Sequence, residues 1–111
     1  FLDRVFYAAG GIFRLKPGAS IAVARRAGTT ASVDVMNKYF TIAEMPVVSS
    51  TYWNVGHGLA AGDILKDAEG LQTIRNLGKN MDYLLKSIEA GKKAGIELPG
   101  TKREVWTHFI R

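Results

Sequence analysis

The chain has 111 residues, enough for one small domain and too few for two. It carries a net charge of +5 and no cysteine, so disulfide staples, thiolate nucleophiles and Cys-ligated metals are excluded within it. No apolar run approaches the roughly 20 residues of a membrane span. The basic pairs Arg25-Arg26, Lys92-Lys93 and Lys102-Arg103 lie scattered without interleaved aromatics, which argues against nucleic-acid binding.

In chain order, Phe1 to about Ala9 reads as the end of an amphipathic helix, with Leu2, Val5 and Phe6 on one side. A chain opening mid-helix and without Met reads as a piece of a longer protein. No signal-peptide pattern is present; with the missing cysteines, this points to the cytoplasm. Gly10-Gly11 is expected to stop the helix by supplying left-handed geometry. Lys16-Pro17-Gly18-Ala19 reads as a turn. Ser20 to Ala24 is a continuous small-apolar run, the pattern of a parallel strand covered on both faces. It ends in the polar loop Arg25 to Thr30.

Thr30 or Ser32 is expected to cap the next helix, whose apolar face is Val33, Met36, Tyr39, Phe40 and Ala43. Pro46 to Ser49 reads as a second short strand. Asp67 is a plausible N-cap for a helix from Ala68 to about Ala90, with a stripe of Leu71, Ile74, Leu77, Met81, Leu84, Leu85 and Ile88. Gly78 lies within that face, so close approach of helix to sheet is expected there. The tail keeps Trp106, Phe109 and Ile110 near its end, which predicts docking on the body or on another subunit. Strands alternating with helices imply an α/β fold with a parallel sheet. Two strands are too few for a stable covered sheet, so further strands are expected upstream.

The densest chemistry is Ser49 to Gly58: two adjacent aromatics, an amide, a histidine and three hydroxyls. Loops at the carboxyl edge of a parallel sheet are where α/β proteins bind ligands. The loops after the two strands would both emerge there. Arg25, Arg26, Gly28 and Thr29 offer guanidinium and backbone N–H groups beside a helix N-terminus, suited to an anion or a polar ring edge. Tyr52 and Trp53 offer flat faces for stacking, and Asn54 and His57 offer hydrogen bonds. A planar, polar-edged ligand such as a flavin suits the pair of loops. Each residue also has a plainer reading. Tyr52 or Trp53 can be a buried plug, the two side chains pointing to opposite sides of an extended stretch. His57 can simply stabilise its loop. His108 is too distant to complete a metal site with His57, so no metal is expected. Asp67 and Glu69 fall where a helix N-terminus wants negative charge. No nucleophile elbow, dinucleotide fingerprint or Walker lysine motif appears, and no residue is nominated as a catalyst.

Arg25-Arg26-Ala27-Gly28, Met45-Pro46-Val47-Val48, Tyr52-Trp53-Asn54 with His57-Gly58, Asp67-Ala68-Glu69-Gly70 and Leu77-Gly78-Lys79-Asn80-Met81 together resemble the flavodoxin-like NAD(P)H-dependent FMN reductase family. The resemblance is to the branch related to iron–sulfur flavoproteins. It implies that residues 1–111 are a single partial domain, the C-terminal half of a flavodoxin-like three-layer αβα sandwich. Residues 20 to 25 would be strand four and 46 to 49 strand five, with a tail from about residue 96. It implies FMN at the carboxyl edge, touched by Arg25, Arg26, Gly28, Thr29, Tyr52, Trp53, Asn54 and His57. NAD(P)H would be the electron donor, with a small-molecule or protein acceptor, in a homo-oligomer that binds neither nucleic acid nor membrane. The family's phosphate loop and the cysteines of the iron–sulfur branch would lie upstream. The competing readings are a flavodoxin-like electron carrier without enzymatic activity and a cofactor-free interaction module on the same fold.

Overall fold

A computed structural model describes residues 1–110. The elements are α1 (Leu2–Ala9), α2 (Thr29–Ile42) and α3 (Ala68–Lys93), with strands β1 (Ala22–Ala24) and β2 (Val55–His57) and short 3₁₀ turns at Gly10–Phe13 and Asp63–Lys66. β1 and β2 pair in parallel, with Ala22 opposite Val55, Val23 opposite Gly56 and Ala24 opposite His57. The expected mixed α/β architecture with a parallel sheet is present.

The sheet pairing starts earlier than β1 and β2 and is then interrupted. Gly18 and Val47 form an isolated parallel bridge. Its bonds run from Gly18 N–H to Pro46 O and from Val48 N–H to Gly18 O, each 2.9 Å. Between this bridge and the Ala22–Val55 pair, one strand spends residues 19–21 and the other residues 48–54. The surplus is expelled as a bulge. The expected strand at 46–49 is therefore only a bridge, and the regular strand, Val55–His57, lies inside the Ser49–Gly58 stretch that was expected to be a loop. The expected cover on both faces of β1 is also not found, since Val23 is 53% exposed.

Helix α2 buries Val33 and Ala43 and half-buries Met36, Tyr39 and Phe40, the face its spacing predicts. It starts after Gly28, which takes φ +90°, with no side-chain cap. Ser32 sits one turn in. Its hydroxyl donates back to Gly28 O at 2.9 Å instead of accepting an N–H. The helix ends in a Schellman arrangement, Met45 N–H to Phe40 O and Glu44 N–H to Thr41 O, with Glu44 at φ 56°.

Gly10 does not stop α1. It stays right-handed and the chain tightens into the 3₁₀ turn. The left-handed residue is Leu15, at φ 58°, whose N–H bonds Glu44 O at 3.0 Å. Phe6 holds α1 to α2, its ring 5.4 Å from Tyr39 and 6.2 Å from Phe40.

Helix α3 runs back along the β2 segment. Leu77 is buried, and Leu71, Ile74, Met81, Leu84 and Ile88 are half-buried, while Leu85 turns outward. Close approach to the sheet comes at Gly70, not Gly78. A Cβ on Gly70 would lie 3.1 Å from Gly56 Cα, whereas a Cβ on Gly78 meets nothing within 4 Å. Gly70 is in the first turn, which abuts β2; Gly78 lies on the open side of the helix.

Candidate functional site

The bulge Ser49–Asn54 is stapled to α3 by its hydroxyls and carbonyls. Ser50 Oγ donates to Thr73 O at 2.7 Å, Asn80 Nδ2 donates to Ser49 O at 2.9 Å, and Asn76 Nδ2 donates to Thr51 Oγ1 at 3.2 Å. The three hydroxyl residues are thus structural. With the backbone held from below, the next two side chains face outward. Tyr52 is 55% and Trp53 61% exposed, with ring centroids 4.9 Å apart and planes inclined at 56°. Neither is a buried plug, and they do not point to opposite sides. The segment is bent, so the alternation of an extended strand does not apply.

The bulge closes on a tight turn, Val55 N–H to Trp53 O at 2.7 Å, and Ala22 N–H then bonds Asn54 O at 3.1 Å. This buries Asn54, whose Oδ1 has no donor among the described residues. An unpaired buried acceptor costs roughly 1–3 kcal/mol.

His57 ends β2 with its side chain half exposed. Its backbone N–H donates to Asp67 Oδ2 at 2.7 Å, and Asp67 Oδ1 accepts Gly70 N–H at 2.9 Å. The Gly70 and His57 N–H groups hold the Asp67 carboxyl below its ordinary range. The imidazole Nδ1 lies 3.6 Å from the same carboxylate. The stabilising contact expected of His57 is made by its backbone. Asp67 caps α3 as expected and also ties that cap to the strand.

A cavity of about 220 Å³ opens here, lined by Tyr52 and His57 together with Asp67, Glu69 and Thr73. Asp67 and Glu69 were legible only as helix-start acids. Their place on this wall follows from the Gly56–Gly70 approach, which no local pattern encodes. Two carboxylates disfavour a phosphate in this cavity and favour a donor-bearing edge.

Arg25, Arg26, Gly28 and Thr29 do not line it. They follow β1 at the opposite end of the ladder from Trp53. Gly58 N–H to Ala24 O, at 3.3 Å, makes Arg25 and His57 neighbours at the sheet's carboxyl edge. Arg25, Arg26 and Gly28 are exposed, and Thr29 is buried in the first turn of α2. The structure therefore joins Tyr52 to His57 in a cavity and His57 to the Arg25–Thr29 loop along the sheet edge. It does not gather all eight residues into one pocket.

For a flavin, this donor set fits in kind: exposed aromatic faces, guanidinium groups, a buried amide oxygen without a donor. In size, the cavity falls short of the roughly 300–1,000 Å³ of a ligand pocket, so it seats only an edge of such a ring system. Among the described residues no cluster of three or more His, Asp or Glu side chains could hold a metal ion. No helix among them is long and apolar enough to cross a membrane.

With an α/β fold and a polar sheet edge established, comparison with known proteins adds one relationship. The chain is 35% identical over 83 residues to an iron–sulfur flavoprotein of Methanocaldococcus jannaschii, which covers 68% of this chain and 43% of that protein. The chain thus spans less than half the length of this relative. No family model matches the chain, and no solved structure matches it.

Proposed function

We infer that the chain is the carboxyl-terminal half of a flavodoxin-like, FMN-dependent NAD(P)H oxidoreductase. The observation that carries this reading is the parallel register of Ala24 with His57, which sets the Arg25–Thr29 loop beside His57 at one sheet edge. Similarity to a protein named an iron–sulfur flavoprotein supports it. So does the open apolar side of β1 at Val23, where further strands and helices of a sandwich would pack.

In this reading Arg26 and the N–H groups of Gly28 and Thr29 meet the polar edge of the flavin ring. Arg25 adds positive charge that favours an electron-rich ring and an anionic donor. Trp53 and Tyr52 cover a ring face and keep water from it. Asn54, buried behind them, supports the wall from within, and His57 bounds the rim. Bound there, FMN supplies hydride acceptance from a nicotinamide and onward delivery of electrons to a small-molecule or protein acceptor. The work belongs in the cytoplasm, where nicotinamide donors are found.

The test is the visible spectrum of the purified protein, followed by anaerobic titration with NADH and NADPH. Flavin absorbance that bleaches on addition of a nicotinamide is the expected result. A colourless protein that takes up no FMN overturns the reading. Bound flavin that neither nicotinamide reduces would make the protein an electron carrier.

A further inference from the structure

The last fifteen described residues leave the body as an arm. Arg14 fixes its start, donating from Nη2 to Pro99 O and to Thr101 Oγ1, both at 2.6 Å. Thr101 Oγ1 donates in turn to Glu44 Oε2 at 2.7 Å, and Arg14 Nε bonds the same oxygen at 2.8 Å. The clamp has a firm base, because Leu15 N–H bonds Glu44 O directly behind it.

Beyond the clamp none of the described residues covers the arm. Trp106 is 71% and Phe109 91% exposed, and Val105 and Ile110 are equally open. Among the described residues, the aromatic contact in the arm is internal, Arg103 over the Trp106 ring at 3.6 Å. The radius of gyration is 17.2 Å, against roughly 13 Å for a compact domain of this length.

The same clamp residues, Arg14 and Glu44, stand on the rim of a groove of about 610 Å³ between α1 and α2. Its walls include Phe6, Tyr7, Val35, Tyr39 and Ile42. Tyr7 is 95% and Ile42 82% exposed. No described residue beyond Glu44 lines it, so the arm starts at the rim of its own groove, and its described apolar residues lie outside that groove.

We propose that residues 102–110 dock in the α1–α2 groove of a second copy of this chain, giving a two-fold dimer by reciprocal exchange of arms. The clamp places the arm's origin and the groove's rim together, so a two-fold axis beside Thr101 lays each arm across the other copy's groove. Nine extended residues reach about 30 Å, enough to cross it. Trp106 and Phe109 each bury roughly 150–250 Å² when covered. With Val105 and Ile110, and counted on both faces of two exchanges, the burial passes the roughly 1,200 Å² at which specific interfaces begin. This proposal is independent of the flavin reading.

The experiment places a photo-crosslinking p-benzoylphenylalanine at Phe109 in the full protein, prepared as a mixture of ¹⁵N-labelled and unlabelled chains. Mass spectrometry of the crosslinked peptides is expected to show the arm joined to α1 or α2 of the other isotopic form. Light scattering is expected to give a dimer that the double variant Trp106→Ala, Phe109→Ala and the groove variant Ile42→Glu each convert to monomer, with circular dichroism unchanged because these side chains are exposed. A crosslink to the same chain's groove, a crosslink to any other surface, a monomeric wild type, or a dimer indifferent to both variants would each overturn the proposal.

Discussion

The Asp67 carboxylate accepts two backbone N–H groups from different elements, Gly70 at 2.9 Å in α3 and His57 at 2.7 Å at the end of β2. One side chain therefore fixes both the start of the long helix and the end of the strand it packs on. Asp67→Ala leaves both N–H groups without this partner and is expected to lower the melting temperature. The pH dependence follows from the direction of its shift. The folded pKa lies below the ordinary value of about 3.9, so the contribution is present above that value and is lost as pH falls through the folded pKa. Asp67→Asn, which does not titrate, should flatten the fall in melting temperature between about pH 5 and pH 2. Asp63 and Glu44, also lowered by hydrogen bonds, keep the remaining slope. Thermal melts of the two proteins across that range decide it; identical slopes would remove Asp67 from the linkage.

Two glycines of α3 make a paired test. At Gly70 a Cβ would sit 2.5 Å from Asp67 Oδ2 and 3.1 Å from Gly56 Cα, and the second neighbour is backbone that cannot swing away. Gly70→Ala should destabilise by about 1–3 kcal/mol, as overpacking does. At Gly78 the space is open and the backbone is helical. Gly78→Ala should stabilise by about 0.5–1 kcal/mol through the lost chain entropy of glycine. Urea midpoints of the two variants are expected to move in opposite directions.

These glycines also show where the sequence was readable. The apolar stripe of α3 and its Asp67 cap are local patterns, and they predicted the helix Ala68–Lys93 to within a few residues at its end. Local pattern could not say which turn of that helix touches the sheet, so Gly78 drew the expectation that Gly70 fulfils. Likewise Val55-Gly56-His57 carries too little apolar signal to read as a strand. Its pairing with Ala22–Ala24 is set by a non-local register and by the close seat of Gly70 on Gly56. Ser49–Asn54 was legible as dense chemistry, and its aromatics do stand exposed. That it interrupts a strand depends on the bulge, and that Asp67 and Glu69 share its cavity depends on the approach of Gly70 to Gly56.

The core offers a quantitative check on α3. Leu77 is 5% exposed and is the one buried large residue of its stripe. Leu77→Ala should cost about 2–5 kcal/mol, while Leu85→Ala, on the half-exposed side, should cost under about 1 kcal/mol. A denaturation series that ranks them the other way would place the helix in a different rotation against β2.

For the flavin reading, Trp53 and Asp67 should separate. Trp53 presents a stacking face held out by the stapled bulge, its side chain exposed and its ring in aromatic contact with Tyr52. Loss of one aromatic–base stack costs about 1–3 kcal/mol, so Trp53→Ala should weaken FMN binding by roughly 5- to 150-fold with little change in melting temperature of the flavin-free protein. Arg26→Ala should weaken binding less, and more so at low salt, because an exposed guanidinium acts through a screened field. Asp67→Asn should instead lower thermal stability while the retained His57 and Tyr52 keep most of the affinity. Fluorescence quenching of FMN, read beside melts of the same samples, distinguishes the two outcomes. Equal loss of binding in all three variants would mean that the site collapses as a unit and that no face of Trp53 is used.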